Sequence, residues 1–225
     1  MHGSRGGARG ADPPSDTDSS GLVPRTTALG ERSPTVETAL LVVGVFLFQY
    51  PLSILGVVGL GLFALDPGFL RDPWTLLTSV YAHAGAGHLL GNLLGLALFG
   101  GLVERVSSRA RFHAFVVLTG TLSGVAEVTL GSLVALDARA VVGISGAVFG
   151  LLGYAITGNG LADRLLRAVD RLTATRGTVT VVLVGLAVLF AVVTSGPRTA
   201  VVGHAAGLSI GLLAGRRRLL HVRTR

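Results

Sequence analysis

Six long apolar runs, separated by short polar stretches that carry arginine, dominate this 225-residue chain. They extend from about Ala39 to Leu65 (interrupted by Tyr50-Pro51), His88 to Val103, Phe112 to about Leu136, about Val141 to Ile156, Val179 to Val193, and Ala200 to Ala214. A helix needs about 20 residues to cross the hydrocarbon core. The first and third runs reach that length, and the fifth does with its flanks. The second, fourth and sixth are read as short. A short helix in a bilayer must end inside protein or a water-filled cavity. The expectation is an all-α polytopic membrane protein with six transmembrane helices, helices 2, 4 and 6 being short and a polar pocket lying within the membrane.

Composition narrows the class further. Charged residues make up 14% of the chain, against about 25% in soluble domains. This excludes an ordinary soluble enzyme and a disordered chain. The 19 basic residues, all Arg, outnumber 12 acids, but no nucleic-acid motif accompanies them, so no nucleic-acid partner is expected. Their placement reads instead as topology. With both termini cytoplasmic, 16 Arg fall inside and only Arg71, Arg139 and Arg198 fall outside. Residues 1–36 read as a disordered cytoplasmic tail without a signal-peptide core, 37–215 as the membrane domain and 216–225 as a basic cytoplasmic tail. Leu161–Arg176 reads as an amphipathic surface helix. There is no Cys, which removes disulfides, thiolate nucleophiles and Cys-based metal sites.

Glycines repeat on the three short runs: Gly87, Gly91 and Gly95; Gly146, Gly150 and Gly153; and Gly203, Gly207, Gly211 and Gly215. Small residues at this spacing let membrane helices approach closely.

Polar groups at membrane depth are expensive and mark function by default. Four stand out. Ser145 lies in Gly143-Ile144-Ser145-Gly146 at the start of the fourth run. His204 lies in Gly203-His204-Ala205-Ala206-Gly207. His88 and Asn92, four residues apart, share one helical face. A membrane Ser also bonds to its own helix backbone, and a lone membrane His also serves structure, so neither decides alone. Together they supply a nucleophile, a base and two donors for an oxyanion. His83 reads as an interfacial structural residue. No His-Glu-x-x-His occurs and no acid lies close in sequence to the histidines, so no metal and no cofactor is expected. Glu127 is the only acid well inside a run, with Glu104 at a cytoplasmic end, which leaves no carboxylate pair for an aspartyl mechanism.

The set His83-x4-His88-x3-Asn92, Gly143-x-Ser145-Gly146 and His204-x-x-Gly207 resembles the rhomboid family of intramembrane serine proteases, over about residues 38–215. The resemblance implies Ser145 as nucleophile and His204 as general base, a dyad without an acid. It implies His88 and Asn92 at the oxyanion hole beside the Ser145 backbone N–H. It places Phe149 where relatives often carry Tyr stacked on the catalytic His, and makes the fifth run a mobile gate. Where the family's first outer loop often has Trp-Arg, this chain has Trp74-Thr75, with Arg71 upstream. The implied partners are the lipid bilayer and single-pass proteins whose transmembrane helices are cleaved, in the cell membrane. The alternative is a non-catalytic relative that binds membrane helices for quality control, which loss of Ser145 or His204 would mark; both are present. A small transporter would show repeated halves, and none is visible.

Overall fold

The computed structural model describes residues 33–54, 60–158 and 200–222, and these are helical apart from connections and isolated bridges. The fifth apolar run, the expected surface helix at 161–176, Arg198 and nearly all of the N-terminal tail lie outside the described residues. Helix α1 spans Pro34–Ile54 and keeps its helix through Pro51. Proline costs an internal hydrogen bond, but here it falls in the final turn. A loop with a short helix, α2 (Thr75–Tyr81), leads on. Helices α3 (Ala86–Val106) and α4 (Arg109–Ala135) are both long and apolar enough to cross a membrane, as is α1. Helices α5 (Ser145–Gly158) and α6 (Val201–Arg216) are shorter.

The second run is therefore not short. It was read as ending at Val103, but α3 begins two residues earlier and continues past Glu104 and Arg105 to Val106, 21 residues in all. A π turn at Leu96–Gly100 lies within it. Polar residues at its C-terminal end mask the length, because Glu104 is satisfied there, accepting from Ser33 Oγ at 2.5 Å and from the Thr35 backbone at 3.2 Å.

The core joins Val42 and Phe46 of α1, Leu96 and Val103 of α3, Phe112 and Val116 of α4, and Ala147, Leu151 and Tyr154 of α5. Leu40, Phe48, Leu94, Leu98, Leu118 and Leu213 face outward and exposed. Apolar surface on this scale fits contact with lipid rather than water.

The two ends of the bundle differ in charge. Ser107 bridges to His221, and Arg111 donates to the His221 carbonyl at 2.5 Å. This end gathers Arg105, Arg109, Arg111 and Arg216 to Arg218. Burial, and then the Arg218 charge, push the His221 imidazole below its usual range. Its Nδ1 lies 2.8 Å from Tyr154 Oη, where the neutral ring can accept. At the opposite end, Leu65 and Val141 exchange backbone hydrogen bonds at 3.0 and 2.8 Å. That end carries Arg71 and Arg139.

Helices α5 and α6 run parallel and touch backbone to backbone. A Cβ on Gly207 would strike the Gly146 carbonyl, and one on Gly211 would strike that of Gly150. One on Gly153 would stand 2.5 Å from the Leu208 carbonyl. The glycine faces of the fourth and sixth runs are thus one seam. The second run departs from this pattern at Gly87, where a Cβ would meet open space. Gly211→Ala is expected to cost about 1–3 kcal/mol by overpacking, read as a lower unfolding midpoint in detergent. Gly87→Ala should stay within about 0.5 kcal/mol of the parent. An unchanged midpoint for Gly211→Ala would show that the seam can open without penalty.

Candidate active site

The segment entering α5 is held on several sides. Beyond the Leu65–Val141 pair, the Gly143 N–H donates to the Ser79 carbonyl at 2.8 Å, and Thr121 Oγ1 donates to the Leu76 carbonyl at 2.8 Å. The first two contacts hold the loop before α2, and α2 itself, against the stretch that delivers Ser145, and the third ties α2 to α4. Gly143 has φ +123°, a conformation glycine adopts without a steric penalty. A Cβ there would stand 2.7 Å from His88 Cε1, so both the backbone and the neighbour require glycine.

Ser145 opens α5 and is half-buried. The first N–H groups of a helix have no acceptor within it, so the turn beginning at Ser145 presents donors. His204 lies in the first turn of α6, its N–H bonded to the Ala200 carbonyl at 2.9 Å. The structure brings the two together: His204 Nε2 lies 2.9 Å from Ser145 Oγ. Phe149, one turn beyond Ser145 on α5, stacks on the His204 ring at 4.6 Å between centroids and 26° between planes. His204 is buried, and its Nδ1 has no hydrogen-bond partner among the described residues.

His88 and Asn92 also meet at this place. The Cβ position at Gly143 lies 2.9 Å from His88 Nε2 and 3.5 Å from Asn92 Nδ2. Both side chains therefore face the backbone two residues before Ser145. Asn92 is 2% exposed, and its Nδ2 donor has no partner among the described residues. A buried donor left without a partner is unusual. Such a donor can bind a negatively charged oxygen placed beside it.

His83 is fully buried within the protein. Its ring lies 5.1 Å from that of His88, and its Nδ1 is 3.1 Å from the Tyr81 carbonyl. Gln49 of α1 brackets its backbone, donating through Nε2 to the His83 carbonyl and accepting the His83 N–H at 3.1 Å. Sequence reasoning missed this clamp; a buried amide in the middle of an apolar run was the available signal. Trp74 donates from its indole to the Leu62 carbonyl at 3.2 Å, so the loop is tied without the Trp-Arg pair. Glu127 was read only as an argument against an aspartyl mechanism. It lines the same cleft as Ser145 and His204. Among the described residues, no group of three or more His, Asp or Glu side chains is arranged to hold a metal.

Comparison with known proteins gives the family of the chain. The chain is similar to the rhomboid protease GlpG of Haemophilus influenzae, 26% identical over 144 residues, covering 64% of this chain and 69% of that protein. It is also similar to the Bacillus subtilis protein YdcA, 35% identical over 80 residues, covering 36% of this chain and 38% of that protein. The sequence model of the rhomboid domain matches residues 70–220, well over half the chain and including all four polar residues. The chain belongs to the rhomboid family.

Proposed function

We propose that the chain is an intramembrane serine endopeptidase that cuts the transmembrane helices of single-pass proteins. The observation that carries this reading is the 2.9 Å approach of Ser145 Oγ to His204 Nε2, beside an Asn92 donor that has no partner among the described residues. With its hydrogen on Nδ1, the neutral His204 ring takes the Ser145 proton at Nε2 as Oγ attacks the scissile carbonyl. The oxyanion accepts hydrogen bonds from Asn92, His88 and the Ser145 N–H. The proton passes to the leaving amine, which departs and leaves an acyl-Ser145 ester. Water then attacks the ester, gives its proton to His204, and collapse of the adduct returns that proton to Ser145 Oγ.

The arginine placement supports a cell-membrane topology with both termini cytoplasmic and the Arg71–Arg139 end outside. The division into a membrane domain at 37–215 and tails at 1–36 and 216–225 follows from the same reading. Ser145, His204, His88 and Asn92 all lie within two turns of the helix ends at the Arg71–Arg139 side. At 1.5 Å per residue they sit at most about 10 Å along their helices. The cut should therefore fall near the outer end of a substrate helix.

Two measurements test the reading. A fluorophosphonate probe should label the detergent-solubilised protein and not its Ser145→Ala variant. Mass spectrometry of a cleaved single-pass substrate should place the cut in the outer third of its membrane helix. Absence of labelling would favour the non-catalytic alternative, and a cut near the cytoplasmic end would reverse the topology.

A further inference from the structure

Glu127 is 1% exposed and lies deep in α4. A carboxylate there is expensive unless its charge and lone pairs are met. Its Oε2 accepts the backbone N–H of Gly203 at 2.8 Å, and its Oε1 accepts from Arg139 Nη1 at 3.2 Å. Two further features are shaped to this carboxylate. The helix widens to a π turn over Glu127–Gly131, a local departure frequent at functional sites. Gly131 leaves room for the carboxyl group, since a Cβ there would stand 2.7 Å from Glu127 Cδ.

The partner of Glu127 gives this arrangement its meaning. Gly203 immediately precedes His204 and lies in the first turn of α6. That helix begins after Ala200, which supplies no side-chain cap. The first N–H groups of a helix need outside acceptors, and its N-terminus favours negative charge. Gly203 also allows the approach, since a Cβ there would stand 2.9 Å from the Ser123 carbonyl and 3.3 Å from Glu127 Cβ.

We propose that Glu127 is a positioning residue that caps α6 from the neighbouring helix and so holds the His204 ring on Ser145. Arg139, from the loop after α4, compensates the charge of that cap. The inference rests on the proposed protease reading for what His204 does, while the anchoring stands apart from it. Glu127 makes its bond to the α6 backbone at Gly203, one residue from the base. The cap thus sets where the ring sits and takes no proton in the reaction.

The test uses the full chain in detergent micelles with Glu127→Ala, Glu127→Gln and Gly131→Ala. Three readouts are taken: hydrogen exchange of the peptide over residues 200–206, kcat and KM on a transmembrane substrate, and fluorophosphonate labelling. Glu127→Ala should speed exchange in that peptide and lower kcat by about 10- to 100-fold, as a displacement near 1 Å does, with KM within about twofold. Glu127→Gln keeps an acceptor for the Gly203 N–H and should recover most of both. If Glu127→Ala fails to fold, Gly131→Ala, which displaces the carboxylate without removing it, should show the same two changes. Parent-like exchange and kcat in Glu127→Ala overturn the proposal. So does equal impairment of the Gln and Ala variants with equally lowered unfolding midpoints. A parent chain that neither cleaves nor labels, with exchange over 200–206 still rising in Glu127→Ala, defeats the protease reading and leaves the anchor intact.

Discussion

Ser145→Ala is expected to lower kcat on a transmembrane substrate by a factor on the order of 10⁴ or more, and His204→Ala by a similar factor. The expectation comes from the 2.9 Å Ser145–His204 contact. Members of such a unit are not additive, because removing either destroys the same proton transfer. The double variant should therefore be no worse than the more impaired single one. Phe149 and the glycine seam remain in all three, so the fold should persist and the unfolding midpoints should stay close to the parent. Single-turnover cleavage in micelles checks this. A Ser145→Ala protein that still turned over substrate would remove Ser145 from the chemistry.

The second large effect belongs to Asn92. Loss of one oxyanion donor costs about 10²–10³ in rate, and Asn92→Ala should lose that much in kcat. Its effect on stability should run the other way. Asn92 Nδ2 is buried and has no partner among the described residues, and such a group is a standing cost in the resting protein. The alanine variant is expected to unfold at the same temperature as the parent or slightly above it while losing activity. This opposition separates a group kept for reaction from one kept for structure. His88→Ala should also lose activity. A kcat unchanged in both variants would contradict the oxyanion assignment, as would an Asn92→Ala loss wholly explained by unfolding.

What the sequence made legible was what local spacing encodes. Ser145 and His204 stand beside glycines that repeat at helical intervals, so each could be placed at a helix start facing a close neighbour. The seam between α5 and α6 follows from the same repeat, and the membrane class follows from apolar length. What was not legible depends on distant pairings. Glu127 meets Gly203 across 76 residues, and Gln49 meets His83 across 34; nothing in either local pattern names its partner. The second run was read short because Glu104 and Arg105 look like a helix terminus. Once Ser33 and Thr35 satisfy Glu104, the helix can continue. The burial of His83 is hidden for the same reason, since the Gln49 clamp on its backbone comes from another helix.

Contact between α5 and α6 through glycine carbonyls, with no side chains between them at those points, makes their alignment behave like a gear with widely spaced teeth. Intermediate sliding positions push Cα atoms and carbonyls into one another. The next register that restores the glycine contacts lies four residues away, about 6 Å along the axis, which carries His204 beyond reach of Ser145. Warming or a thinner bilayer should therefore not degrade the site by degrees. The fraction of chains able to work should fall while each working chain keeps its full rate, so that an inactivation curve counts molecules rather than measuring a slower enzyme.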